Sequence, residues 1–239
     1  MSLIPESYHY LAINLLTIAY PLAQSYEHRL RFLQNWKAIC LSIAVSGGVF
    51  LAWDELFTQL GVWGFNTRYL TGLYIGELPL EEYGFFLTVP FACLFVFEVL
   101  NYFVKPDILG KFAQSIAWFL ILVTFILSVF FYPRLYTSIC FFFASALLSF
   151  TLLVVRPDWL GRFFLSYGVC LIPMLIMNGW LTGWFTDEPI VWYSDEQNMG
   201  IRIGTIPAED FVYQMAYFLL VMLVYNKNRN LKSPRFHLS

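Results

Sequence analysis

"IGELPLEEYGFF", residues 75–86, returns as "IGTIPAEDFVYQ", residues 203–214. Both stretches read Ile-Gly, two residues, a proline, one apolar residue, two adjacent acids and an aromatic. The offset is a constant 128 residues from Ile75/Ile203 to Tyr83/Phe211. Each copy opens a long apolar run, so a proline and two carboxylates stand at the mouth of a membrane helix twice over.

The surrounding composition supports a membrane setting. The 239 residues are 59% hydrophobic, 20% aromatic and 13% charged, whereas a soluble domain carries about 25% charge. A net charge of −2 argues against a nucleic-acid or other polyanion partner. "MSLIPESYHY" at the start has no basic region and no small-residue cleavage site, so no removable signal peptide is expected. Cys40, Cys93, Cys140 and Cys170 lie singly in apolar runs, without metal spacing, and read as packing residues.

Seven stretches are apolar over about 20 residues, the length of a span: 8–26, 38–58, 80–104, 113–132, 135–155, 163–185 and 207–226. They are too long for strands and lack the alternation of an outer-membrane barrel. Eleven of the fourteen basic residues fall on one side: Arg29, Arg31, Lys37, Lys105, Lys111, Arg156, Arg162, Lys227, Arg229, Lys232 and Arg235. Only Arg68, Arg134 and Arg202 lie opposite. The positive-inside rule then puts the N-terminus outside and the C-terminus in the cytoplasm. The expected fold is an all-α membrane protein of seven transmembrane helices, residues 1–239 forming one domain.

Upstream of the motifs, "AWDELFTQLGVW" (52–63) corresponds loosely to "MNGWLTGWF" (177–185), pairing Asp54 with Asn178 at an offset of 124. Residues 8–104 and 135–226 thus form two three-span repeats, a periodic signal in its own right. The extra helix, 113–132, keeps the two copies parallel, with both proline–acid motifs on one face. "KPDILGKF" (105–112) and "RPDWLGRF" (156–163) also resemble each other and read as helix starts anchored by positive charge.

Pro79 and Pro207 suit the first helical position, which puts Glu81, Glu82, Glu209 and Asp210 in the first turn, where the helix dipole favours negative charge. Plain capping would explain one motif. Two motifs on the same face, with acids about 100° apart around each helix, point further. Carboxylates at the membrane edge are candidate functional groups. Asp54, after Trp53, is a further candidate acid, with Asn178 its uncharged counterpart. Glu98 is expected to pair with Lys105 or Asn101. All five lysines lie at span ends or in the tail, so there is no mid-membrane site for a retinal Schiff base. His9, His28 and His237 are scattered, which excludes a histidine-rich di-iron site, and no dinucleotide fingerprint or P-loop is present. A transporter whose acids line a polar path would need substrate helices broken near the midplane. Only "SGG" (46–48) and Pro173 interrupt mid-span.

With "WDELFTQLGVW", "PLEEYGFF", "NGWLTG" and "GIRIGTIPAEDFVY" on the page, the chain resembles the integral-membrane lycopene cyclases, in a form that fuses two short subunits. The resemblance implies cyclisation of the ψ end groups of lycopene to β rings, through γ-carotene to β-carotene. It carries to Pro79, Glu81, Glu82, Pro207, Glu209 and Asp210, and less firmly to Asp54 and Asn178. Glu81 and Glu209 are expected to lead as acid and base, with Glu82, Asp210 and Asp54 as further catalytic carboxyls. Pro79, Pro207, Asn178, Trp53, Tyr83 and Phe211 are expected against the substrate. The reaction is an isomerisation, so no metal and no cofactor are expected; a reduced flavin or nicotinamide as an aid that is not consumed stays open. The expected partners are lycopene or a related carotenoid in the bilayer and other enzymes of carotenoid synthesis, and the expected place is the cytoplasmic membrane. ε rings, another carotenoid, or a carotenoid-binding or transport membrane protein without activity remain open alternatives.

Overall fold

Among the described residues, six of the seven α-helices are long and apolar enough to cross a membrane. This computed structural model describes residues 5–229; Lys232, Arg235 and His237 lie outside the described residues. In chain order the helices are α1 (His9–Gln24), α2 (Trp36–Gln59), α3 (Leu80–Phe103), α4 (Ala113–Phe130), α5 (Leu135–Phe150), α6 (Leu160–Leu181) and α7 (Ala208–Asn228). α1, with 16 residues, is the one left out; α5 is also 16 residues long but a π-helical turn, Thr151–Val155, carries it on to 21. The 163–185 stretch stops being helical at Leu181.

The packing partners mirror one another. α1 lies on α3 and α5 lies on α7, while α2 packs against α7 and α6 against α3. α4 packs chiefly on α5 and turns Phe119, Leu122, Ile126, Val129 and Phe130 outward. An outward face of this kind suits lipid rather than water.

Three helices carry an internal proline: Pro21 in α1, Pro90 in α3 and Pro173 in α6. A proline deletes the bond to the carbonyl four residues earlier. For Pro90 that carbonyl belongs to Phe86, and the Tyr217 hydroxyl of α7 donates to it at 2.7 Å. The break in α3 is therefore filled from α7. Glu98 likewise finds its partners on α7 and just past its end, the Tyr225 hydroxyl at 2.9 Å and Arg229 at 3.3 Å. Asn101, its expected partner, instead accepts from Arg162.

Each proline–acid motif is preceded by a two-residue turn between minimal strands. β2 (Tyr74–Ile75) pairs with β3 (Leu78–Pro79), and β5 (Arg202–Ile203) pairs with β6 (Ile206–Pro207). Both turns run through a left-handed glycine, Gly76 and Gly204, each at φ +65°. Pro79 and Pro207 close these hairpins in extended conformation (ψ 152° and 140°), one residue before the helix. They are not the first helical residues that the sequence suggests. The proline ring is well placed there because its fixed φ suits the extended exit of the hairpin.

The loops between helices interlock. β1 (Trp63–Phe65) pairs antiparallel with β4 (Val191–Tyr193), with Gly64 opposite Trp192. Asn66 donates to Glu188 at 2.8 Å, and Arg68 binds both Glu6 (2.7 Å) and Asp187 (3.0 Å). Arg202 binds Asp195 at 2.6 Å and holds that carboxyl below its ordinary range. Together these contacts form a lid over the motif end of the bundle.

Trp184 closes down on Gly204, where an added Cβ would lie 2.6 Å from the indole. Gly204→Ala is therefore expected to destabilise the protein by about 1–2 kcal/mol from the left-handed backbone alone, with the indole clash adding to it. Gly48, helical and with open space beside it, is the control: Gly48→Ala should leave thermal unfolding in detergent unchanged or raised. Equal midpoints for the two variants would remove this account of the turn.

Candidate active site

The five acids singled out in the sequence are all buried. Relative exposures are 3% for Asp54, 3% for Glu81, 7% for Glu82, 0% for Glu209 and 6% for Asp210. None caps its own helix; neither α3 nor α7 has a side-chain cap bond. Simple first-turn capping does not describe them.

Consecutive acids on a helix point to different sides, and the structure separates the pairs accordingly. Glu81 faces back into the loop that precedes it: Oε1 accepts the Thr71 backbone N–H at 2.7 Å. Glu209 does the same with the Met199 N–H at 2.6 Å and also accepts from the Thr137 hydroxyl. These two glutamates fasten the hairpins to the helix ends. Their second oxygens are buried without a partner among the described residues.

Glu82 and Asp210 face the other way, into a cavity of about 350 Å³ that Asp54 also lines. Tyr10 of α1 donates to Glu82, and Tyr136 of α5 donates to Asp210 Oδ1 at 2.5 Å. The two helix pairs thus present the same phenol–carboxylate contact.

Beyond that contact the two sides differ. Asp210 Oδ2 also accepts from Asn178 at 2.7 Å and from the Tyr193 hydroxyl at 3.1 Å, so it has three donors over both oxygens. Burial and the charge of Asp210 push the Tyr193 phenol well up, which keeps it protonated as a donor. Asp54 occupies the place that Asn178 holds on the other side. Its neighbour is the Trp63 indole N–H, and among the described residues neither that N–H nor Asp54 Oδ2 makes a hydrogen bond of ordinary geometry.

The rest of the wall is aromatic and apolar, with Phe85, Phe86, Tyr213 and Tyr217 beside the acids and Met174 and Met177 opposite. No lysine, arginine or histidine lines it among the described residues. Cys93 and Cys170, isolated in sequence, meet side by side on this wall.

Several expected substrate contacts are absent from the cavity wall. Trp53 packs instead among Phe50, Phe57, Phe143 and Tyr213. Tyr83 bonds back to the Ile75 carbonyl at 3.1 Å, and the Phe211 carbonyl accepts from Tyr167 at 2.7 Å. Pro79 and Pro207 belong to the hairpins. Of that group only Asn178 reaches the cavity. Tyr10, Tyr136 and Tyr193 were not anticipated. Tyr10 and Tyr136 share a Tyr-x-x-Ile pattern ("YLAI", "YTSI") at an offset of 126, a signal that could have found them.

The cavity is sunk between apolar helices and lined by carboxyls and aromatic rings, a lining that suits an apolar molecule. The lycopene cyclase family model matches residues 7–100 and 133–227, and the chain belongs to that family. It is also 40% identical over 65 residues to a bifunctional lycopene cyclase/phytoene synthase of Phycomyces blakesleeanus. That stretch is 26% of this chain and 11% of the fungal protein. No solved structure matches the chain.

Proposed function

We propose that this protein is a lycopene β-cyclase with a single catalytic cavity built from both halves of the chain. The observation that carries the reading is that Glu82 and Asp54 from one half and Asp210 from the other line the same aromatic cavity, with no basic residue beside them among the described residues. Burying three anions without a cation is costly. At least one carboxyl therefore holds a proton until a cation forms, and a carbocation is the species such a site would stabilise, with the aromatic faces adding to the attraction.

In the proposed reaction a carboxyl O–H of the Asp54/Glu82 pair gives its proton to the terminal double bond of a ψ end. The internal double bond then attacks the resulting tertiary cation, closing the ring and moving the charge onto a ring carbon. Asp210 takes a proton from the neighbouring carbon, and the ring double bond forms. One proton enters and one leaves, with no electrons exchanged. Asp210 suits the base because every one of its three partners is a donor, an environment made for the carboxylate form. It is a weak base, yet a carbocation is acidic enough not to need a stronger one. The lid of interlocked loops excludes water that would otherwise trap the cation. Turnover should need no stoichiometric reductant; dependence on a consumed nicotinamide or flavin would reveal a step missing here.

The same reading includes seven spans in the cytoplasmic membrane, N-terminus outside, in two parallel repeats. In its support, α1 with the 3-10 turn that leads into it, Glu6–Tyr8, is about 30 Å long. The family match also leaves out the stretch that holds α4. Cysteines placed beside Arg68 and Arg202 should both react with an impermeant thiol reagent from outside, and one beside Lys111 should not. Labelling of the first two from opposite sides would end the parallel-repeat proposal. The function itself is tested by expression in a lycopene-accumulating host, where chromatography should show lycopene replaced by β-ring products. Unchanged lycopene beside abundant folded protein would overturn it.

A further inference from the structure

We infer that the Tyr193 hydroxyl carries the proton left on Asp210 back to the Asp54/Glu82 wall, so that each ring closure resets the site from within. The inference rests on the cyclase reading and completes the proton cycle of that same site.

The proposed reaction leaves the site unlike the one that began it. One proton has gone from the Asp54/Glu82 pair into the ring, and one has come from the ring onto Asp210. A further ring needs that proton moved across the cavity. The emptied pair stands as two carboxylates, and no lysine, arginine or histidine lines the cavity among the described residues. Like charges held together in an apolar site repel, and a returning proton relieves this. Asp210, by contrast, is set among donors from Tyr136, Asn178 and Tyr193, which suit its carboxylate. The return is therefore downhill. All three acids are buried, so the proton needs a carrier.

Tyr193 is placed between the two walls. It lies opposite Trp63 in the β1–β4 ladder, the ring centroids 6.1 Å apart, and the Trp63 indole is the neighbour of Asp54. It also stacks on Tyr136 at 5.9 Å. The side chain packs on the cluster that holds Tyr10, the donor to Glu82, and on the cluster that holds Trp63 and Tyr136. Its hydroxyl donates to Asp210 Oδ2 at 3.1 Å, and the charges of Glu82 and Asp54 reach it as well. The other phenols bonded to these acids each serve one wall, Tyr10 donating to Glu82 and Tyr136 to Asp210.

The step balances without a second reactant. The Asp210 O–H gives its proton to the Tyr193 oxygen as the Tyr193 O–H gives its own to a carboxylate of the pair. Two O–H bonds break, two form, and no electrons are exchanged. The two transfers go together, because burial and the nearby carboxylates hold the Tyr193 phenol well above the ordinary tyrosine range. A free phenolate is thereby avoided.

A carrier and a side chain that only steadies Asp210 differ in when their loss is felt. Without the carrier the first ring still closes, since the pair begins with its proton and Asp210 keeps Tyr136 and Asn178. The next ring must wait for a proton from outside.

The test uses the full chain in phospholipid vesicles with excess lycopene, and compares quenched time courses of wild type and Tyr193→Phe. The variant should close its first ring within about 10-fold of the wild-type rate, because Asp210 keeps two of its three donors. Its steady turnover should fall about 10²-fold or more, so a burst of one ring per chain precedes a slow phase. First-ring and steady rates that fall together, or a steady rate near wild type, would overturn the relay. Should Tyr193→Phe fail to fold, the wild-type protein decides. With lycopene deuterated at the carbon that loses its proton, deuterium should appear at the newly protonated carbon of later rings. Complete loss of that label to water would overturn the relay. Lycopene left untouched by folded wild-type protein would instead strike the cyclase reading.

Discussion

Asp210→Asn should leave the protein folded and lower β-ring formation by about 10²-fold or more, the usual contribution of a positioned general base. Asparagine has nearly the same shape and keeps one acceptor oxygen for Tyr136, which donates to Asp210 in the wild-type protein. What it lacks is the capacity to take a proton from the ring cation. Because the Asp54/Glu82 side stays intact, initiation continues, and the cation must lose its proton elsewhere. The residual product should therefore include rings with a displaced double bond or a captured water. Pigment chromatography of a lycopene-accumulating host reads both the loss and the change of product. Wild-type amounts of β-ring product from a folded Asp210→Asn protein would remove Asp210 from the mechanism.

Glu82→Gln and Asp54→Asn should fail at an earlier point. Each removes one of the two carboxyls proposed to deliver the first proton. Each should lower turnover by about 10²-fold or more, with no displaced-ring product, since no cation forms. Glu81→Gln and Glu209→Gln provide the contrast. A glutamine Oε1 can still accept the loop N–H of Thr71 or Met199, so the hairpins stay fastened and most activity should survive. Truncation to alanine leaves a loop N–H unpaired at about 1–3 kcal/mol and should lower thermal stability more than kcat. If Glu81→Gln were inactive and Glu82→Gln near normal, the division between reacting and fastening acids would be reversed.

The sequence reading leads with Glu81 and Glu209, the proposed mechanism with Glu82, Asp54 and Asp210, and the reason for the difference is rotational. Hydropathy and the repeated motif locate the helices and bring the acids to one end of the bundle, because both signals are carried by the chain in series. They do not fix the phase of a helix about its axis. In α3 and α7 that phase is set by neighbours distant in sequence, Tyr10 and Tyr136 in particular. A lone tyrosine at the end of an apolar run reads as an interfacial anchor, so these two were passed over. Trp63 and Tyr193 were illegible for another reason: they sit in loops whose pairing only the folded chain reveals. Asp54 and Asn178 were legible because the repeat brought them into correspondence.

The pairing of β1 with β4 has a symmetry of its own. Shifting every residue of the ladder by 128 turns Trp63↔Tyr193 into Phe65↔Val191 and returns Gly64↔Trp192 to itself. Such a ladder is the one that two identical half-length chains would make across a two-fold axis. Identical chains, however, are bound to repeat every residue: an Asp at position 54 would face a second Asp where Asn178 now stands, and Phe65 a second Phe in place of Tyr193. A proton donor and a proton acceptor of different character could not be assigned to opposite walls. Halves that differ in sequence leave each wall free to specialise, and the proposed division of the two proton transfers between unlike walls needs that freedom.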